Sequence, residues 1–380
     1  MQHTEQVAIA ERLFDYIETG RSATADTVYL QPVAEYTCSV VAAREHQHLF
    51  RERPLCVGLS GLLPRPGSFA THDASGVPLL LTRTAAGEFR AFLNVCRHRG
   101  ARVAEGCGQQ RSFVCPYHAW TYGLDGTLVA RPQEASFEAA PRSSHGLTAL
   151  AAAEHAGLLW VVPTPGEACN PDDFLHGLGS ELGGYGTSGF HHYKTCRLER
   201  RMNWKLLVDT FLESYHFCVL HKNSICSIFY DNLTTFDSWG PHFRLVSARR
   251  TIQALRDSVP ERWNLLPHMV AIYVLFPNTV LVWQLDHIEL WQIFPGATPE
   301  SSSVDLSLYT PEPALSDSAR RHWDKNLELV VHVVENEDFP VGEGIQRGFH
   351  ARAQDHIVFG TNEPALGFFH AEVSAAIATG

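Results

Sequence analysis

The chain has 380 residues, 45% of them apolar and 19% charged, which is enough material for packed cores and too much for one small domain. Lys and Arg total 30 against 41 Asp and Glu, a formal charge of -11 with no basic run, which argues against a nucleic-acid or anionic-membrane surface. No apolar stretch has the length of a membrane span, and the first residues read as an amphipathic helix rather than a signal peptide, so a soluble cytoplasmic protein is expected. The 9 cysteines are too sparse for a disulfide scaffold, and with 21 histidines they direct attention to metal or redox chemistry.

Residues 1–50 read as helical, with Ile9, Leu13, Phe14 and Ile17 recurring at helix period. From Pro54 the texture becomes short apolar runs separated by Gly, Pro and Asp, the pattern of an antiparallel β unit. Asp125-Gly126 between two such runs marks a hairpin turn. The unit closes near Leu158–Val162, before a Pro- and Gly-bearing boundary. A helix is expected over 203–217, then strands near 268–276, 279–285 and 287–294, an unassigned loop over 296–315, and a long helix from Ser316 to about Asn336.

Two loops at predicted strand ends each carry one cysteine and one histidine: Cys96-Arg-His98 and Cys115-Pro-Tyr-His118. Soft thiolates and imidazoles in pairs form a metal-ligand set. A structural zinc takes the same donors, but zinc sites usually pair Cys with Cys and His with His. One Cys and one His per loop suits a two-iron cluster with thiolates on one iron and imidazoles on the other. Cys107 reads as a loop residue, and the remaining cysteines need no role beyond packing or chance exposure.

Asn203 is a plausible N-cap for the 203–217 helix, whose apolar stripe includes Leu207, Val208, Phe211 and Leu212. Asp209, Glu213 and His216 fall on a separate face at i, i+4 and i+7. His221 lies off that line, so the helix is expected to bulge or end between Phe217 and Leu220. Spacing alone is equally compatible with a polar face of satisfied histidines and with a metal pair. His191 and His192 have no acid or thiol at matching spacing and read as surface residues.

CRHRG at 96–100 with CPYHAW at 115–120 resembles the binding motif of a Rieske [2Fe–2S] domain, with Ala119 where most relatives have Gly. NWK at 203–205 with ESYHFCVLH at 213–221 resembles the mononuclear-iron segment of the α subunits of Rieske non-haem iron oxygenases. The resemblance implies that Cys96 and Cys115 hold one cluster iron, and His98 and His118 the other. It makes His216 and His221 ligands of a mononuclear Fe(II), with a carboxylate from 335–348 as third ligand. Asp338 fits best there, with Glu335 and Glu337 as alternatives. Glu213 stands at the position of an acid that bridges the two metal centres between subunits, and Asp209 is a candidate to support a ligand.

The implied fold is α+β: an all-β Rieske domain over 45–160, inserted in a helix-grip (START-like) catalytic domain built from 1–44 and 161–380, with a curved antiparallel sheet. Phe217, Ile225, Trp283 and Trp291 are candidates for its pocket. The implied activity is hydroxylation of an organic substrate with O2 by a homotrimeric terminal oxygenase. Its electrons would come from a separate NAD(P)H-dependent reductase, with or without a ferredoxin, because GEGIQRG at 342–348 lacks the spacing of a dinucleotide fingerprint. Aromatic or alicyclic hydroxylation and oxidation of a quaternary ammonium or N-methyl compound are both open. A Rieske-type electron carrier without oxygenase activity and a zinc protein are the readings from other classes.

Overall fold

The computed structural model describes residues 1–378. They divide into two compact units: one of Phe50–Phe174 with Gly186–His191, and one of Met1–Leu49, Leu175–Tyr185 and the chain from His192 onward.

The first unit is all β. Leu79–Arg83 lies inside a five-stranded sheet, flanked by Phe89–Leu93 and Ser68–His72. Because side chains alternate across a strand, Leu79 and Leu81 enter one core with Val57, Phe89 and Leu159. Leu80 enters the other with Phe92, Cys96, Cys115 and Trp120. A three-stranded sheet of Ser112–Val114, Thr121–Gly123 and Leu128–Ala130 contains the expected hairpin. Asp125 Oδ1 accepts from the Thr127 amide at 3.1 Å, and Gly126 turns at φ 81°, where a Cβ would strike the Phe92 ring.

The second unit is built on a seven-stranded sheet. Its order is His191–Arg200, Ser302–Thr310, His287–Pro295, Thr279–Gln284, Met269–Leu275, His242–Arg249, Phe229–Trp239, and neighbours from Ser302–Thr310 to Phe229–Trp239 run antiparallel. The supposed loop over 296–315 therefore contains a buried strand. Ser316 caps the long helix Asp317–Val333 by accepting from the Ala319 amide at 3.1 Å. That helix passes through a π turn, Val334–Asp338, into the helix Phe339–Phe349.

Other sequence expectations also fail in this unit. The 203–217 helix is only Trp204–Asp209, and irregular turns carry the chain on to Phe229. His191 and His192 are not surface residues but half-buried on a strand, with His192 edge-on to Tyr309 at 5.4 Å. Cys218 and Cys226 are joined in a disulfide, so two of the cysteines set aside as incidental cross-link the turns around His221. Among the described residues no helix is long and apolar enough to cross a membrane.

Candidate metal centres and substrate cavity

The two Cys/His loops of the β unit fold alike. Each cysteine amide donates to the carbonyl five residues on (Cys96 to Ala101, Cys115 to Trp120, both 2.8 Å), and each cysteine carbonyl accepts from the amide four residues on (Gly100 and Ala119, both 3.0 Å). Both fourth residues are left-handed, Gly100 at φ 83° and Ala119 at φ 56°. Glycine adopts this conformation freely, whereas the methyl of Ala119 costs about 1 kcal/mol there. Cys96 and Cys115 are buried, while His118 is exposed and His98 half-exposed. Burial, followed by the adjacent Cys96 sulfur, pushes the Cys115 thiol up. The imidazoles of His98 and His118 lie 4.7 Å apart, and His98 stacks on Trp120 at 4.9 Å.

Sequence reasoning missed Tyr122. Its hydroxyl oxygen accepts from the Arg97 amide at 3.0 Å and lies 3.3 Å from Cys96 Sγ, so its own proton is free to point at the sulfur. Two buried thiols, two outward imidazoles and a hydroxyl on one sulfur fit an iron–sulfur cluster whose histidine side reaches the surface. Among the described residues the one set drawn together tightly enough for a single ion is elsewhere, at His216, His221 and Asp338. The spread of the loop ligands disfavours a lone zinc.

At that second centre, the short helix Trp204–Asp209 is pinned by buried polar contacts. The Asn203 side chain accepts from the Lys205 amide at 3.0 Å, Trp204 Nε1 donates to Glu45 at 2.8 Å, and the fully buried Lys205 ammonium pairs with the same carboxylate. Beyond Asp209 the backbone turns, and His216 and His221 each open a turn (Leu220 N–H to His216 O, 2.8 Å; Ile225 N–H to His221 O, 3.0 Å). This break brings both imidazoles to one point, which an ideal helix could not do.

The π turn presents the carboxylate. Asp338 Oδ1 lies 3.2 Å from His221 Nε2 and 3.7 Å from His216 Nε2, and the three ligand atoms are within 4.8 Å of one another. The neighbouring acids do other work. Glu337 accepts from His221 Nδ1 and, at 2.7 Å, from Ser224 Oγ, while Glu335 pairs with Arg200. Glu213 accepts from His216 Nδ1 and, at 3.1 Å, from the His216 amide. Both Nδ1 atoms are thus engaged by carboxylates, leaving both Nε2 atoms turned to Asp338. Burial pulls the His221 pKa down, but Asp338 and Glu337 more than offset it and hold it above the ordinary histidine value. Burial raises the Glu337 pKa, and His221 and Ser224 bring it below the usual carboxylate range.

Asp209 does not join this group. It accepts from Tyr36 Oη at 3.1 Å and contacts the buried His370 Nε2 at 2.9 Å, because the helix that was to align it with Glu213 ends at Asp209 itself. It lines a ≈ 300 Å3 cleft with Leu206, Glu213, Val341 and Phe359. A second cavity, of ≈ 120 Å3, lies against the sheet and shares Thr210, Glu213, His216 and Asp338 with that cleft. Phe217, Ile225 and Trp291 line it as expected. Trp283 does not: Val282 and Gln284 take the inward positions of its strand, and Trp283 packs on Tyr185 at 4.8 Å. Glu289 is a buried acid in this cavity that the sequence reading overlooked, although it is the lone acid in the otherwise apolar run IELW.

The fold and the paired centres define a two-centre, Rieske-type protein. Residues 53–147 match the Rieske [2Fe-2S] domain family, and residues 188–379 match the ring hydroxylating alpha subunit (catalytic domain) family. The chain belongs to the ring-hydroxylating α-subunit family.

Among its relatives is the glycine betaine monooxygenase oxygenase subunit of Chromohalobacter salexigens, 31% identical over 65% of this chain and 57% of that one. The carnitine monooxygenase oxygenase subunit of Acinetobacter baumannii is 30% identical over 57% of this chain and 60% of that one. The match thus spans less than two thirds of these relatives. The chloroplastic choline monooxygenase of Beta vulgaris is 26% identical over 85% of this chain and 71% of that one.

A quaternary ammonium Rieske monooxygenase solved with L-carnitine superposes with a TM-score of 0.79 at 22% identity, covering 92% of this chain and 96% of that one. Naphthalene 1,2-dioxygenase does so at 0.74 and 17%, covering 94% and 96%. At these identities the likeness is one of fold.

Proposed function

We propose that the chain is the terminal oxygenase of a Rieske monooxygenase that oxidises a quaternary ammonium or N-methyl compound with dioxygen, using electrons from a separate NAD(P)H-dependent reductase, with or without a ferredoxin. The observation that carries the reading is the set His216, His221 and Asp338 opening on an aromatic-lined cavity. Cys96, Cys115, His98 and His118 would hold the [2Fe–2S] cluster, and His216, His221 and Asp338 the mononuclear iron. An Fe(II) held by two imidazoles and one carboxylate supplies open positions for dioxygen beside the substrate.

The chain's own residues do the positioning. Glu337 and Glu213 fix the imidazole protons on Nδ1, so that both Nε2 lone pairs face the ion. Rings of Phe211, Phe217 and Trp291 line the cavity and offer apolar surface and π faces to a cationic head. Glu213 also reaches the cleft, where an imidazole from another subunit could meet it. We place the exposed His118 edge, flanked by Tyr117 and Val114, in that role within a head-to-tail homotrimer acting in the cytoplasm.

Hydroxylation of an aromatic or alicyclic ring is the second reading, favoured by the apolar wall of Val270, Ile272 and Val282. Oxygen consumption by the reductase-coupled protein, with a panel of methylated ammonium compounds, aromatic acids and neutral arenes, tests both. Uptake matched by oxidised product from the ammonium compounds alone is the expected result. Uptake matched by arene product would sink the first reading.

A further inference from the structure

On the strand His287–Pro295 alternation puts Glu289 and Trp291 on the cavity face. Glu289 is almost wholly buried, 4% exposed, among Phe211, Val282 and Ile272. A carboxylate in such surroundings is expensive unless its charge is matched, and little here matches it. Trp291 Nε1 donates to Oε2 at 3.1 Å. The other oxygen has His287 Nε2 at 3.7 Å, beyond a good hydrogen bond. His287 is also held by Asp286 at 3.0 Å, so it supplies at most one positive charge against two carboxylates.

Arg249 lies close enough to feel the Glu289 charge, but its own hydrogen bonds go elsewhere. Arg249 donates to Gln284 Oε1 at 2.6 Å and to the Met269 carbonyl at 3.3 Å, and lies over the Phe229 ring at 4.7 Å. Among the described residues no Lys or Arg makes an ion pair with Glu289. The rings beside it are placed for a cation instead. Phe211 and Trp291 meet edge to face at 5.1 Å, and Phe217 and Phe229 pack on each other at 5.8 Å in the wall of the same cavity.

We infer that Glu289 is the counter-charge for the substrate's ammonium group, which sits between this carboxylate and the rings of Phe211 and Trp291. The inference rests on the quaternary ammonium reading above and sharpens it. A cation entering the cavity pairs with a charge already buried there, whereas a neutral arene of the same size displaces water and leaves the carboxylate unmatched. One side chain thereby favours one substrate class and penalises the other.

The test compares choline with its uncharged isostere 3,3-dimethylbutan-1-ol, titrated calorimetrically under argon into the iron-loaded full-length protein. Wild type should bind choline about ten- to hundredfold more tightly, the span of a charge-assisted contact. Glu289→Gln, which keeps an oxygen for Trp291, should lose most of that preference and retain only what the rings supply, and Glu289→Asp should keep most of it. Iron content and cluster absorbance of both variants should match wild type. A choline preference undiminished in Glu289→Gln overturns the seat and leaves the substrate class standing. A wild type that does not prefer choline overturns both.

Discussion

Glu337 accepts from the Nδ1 side of His221, while the next residue along the chain, Asp338, faces Nε2 of the same ring at 3.2 Å. One imidazole is thus gripped from both sides by consecutive carboxylates, one fixing its proton and one sharing its ion. Glu337→Gln leaves an acceptor but removes the charge, and should weaken Fe(II) binding about 10- to 100-fold. Competition with a metal chelator measures it, with the cluster absorbance as internal reference. Equal affinities would show that the pair does not support the ligand.

Glu213 stands in the same relation to His216, but on the side of the open cleft. Glu213→Gln is expected to keep the two cluster irons and the mononuclear iron while losing most reductase-coupled turnover. Iron analysis and product formation together decide it; wild-type turnover in the variant would remove Glu213 from electron transfer.

The disulfide closes a short ring that contains His221. Opening such a ring by Cys226→Ser should cost about 2–3 kcal/mol on the chain-entropy account. The urea midpoint of the wild type in the presence of a dithiol should fall to that of the variant. Reducing compartments keep most thiols open, and in such a compartment the reduced value is the relevant one.

Arg244, fully buried, donates to Glu5 at 2.6 Å, Glu181 at 2.8 Å and Asp237 at 2.7 Å, and Arg12 reaches the same Asp237 at 2.7 Å. Burial raises the Asp237 pKa, but Arg12 and Arg244 outweigh it and hold it below the ordinary value. A carboxylate with a depressed folded pKa contributes stability in full above its unfolded value of about 3.9 and loses it as pH falls through the folded one. Asp237→Asn should therefore cost about 1.5–3 kcal/mol near neutrality, with the gap to wild type narrowing below about pH 4. Denaturant titrations at several pH values measure both parts; a constant gap would contradict the sign.

What was legible in the sequence was local. The cluster loops were readable because each is a closed turn of about six residues whose donors, glycine position and hydrogen bonds are all near in sequence. His216 and His221 were readable as a pair, but the geometry that unites them was not. The helix ends at Asp209, where Tyr36 and His370, both distant in sequence, take its carboxylate. The irregularity expected between Phe217 and Leu220 spreads over the whole of 210–228, and the π turn lies on the partner helix instead. Among Glu335, Glu337 and Asp338, composition could not choose, since all three are acids within one turn and only their tertiary partners differ. Glu289 was invisible because a single acid in an apolar strand reads as an outward-facing residue until the sheet shows its face.

The π turn of Val334–Asp338 makes the number of residues part of the site. It holds one residue more than an α turn would, so a single deletion within it would close it to an α turn and re-aim its acids while the helix beyond keeps nearly its facing. Closure would draw Asp338 off the imidazoles or put a neighbour in its place. The helix beyond is held separately by Gly342, where a Cβ would come within 2.5 Å of the Met202 sulfur, and by Gln346, which accepts from the Asn203 amide at 2.9 Å. Point substitutions here alter one contact at a time, whereas a one-codon deletion would re-aim the acids of the turn together. In this stretch the number of residues matters as much as their identity.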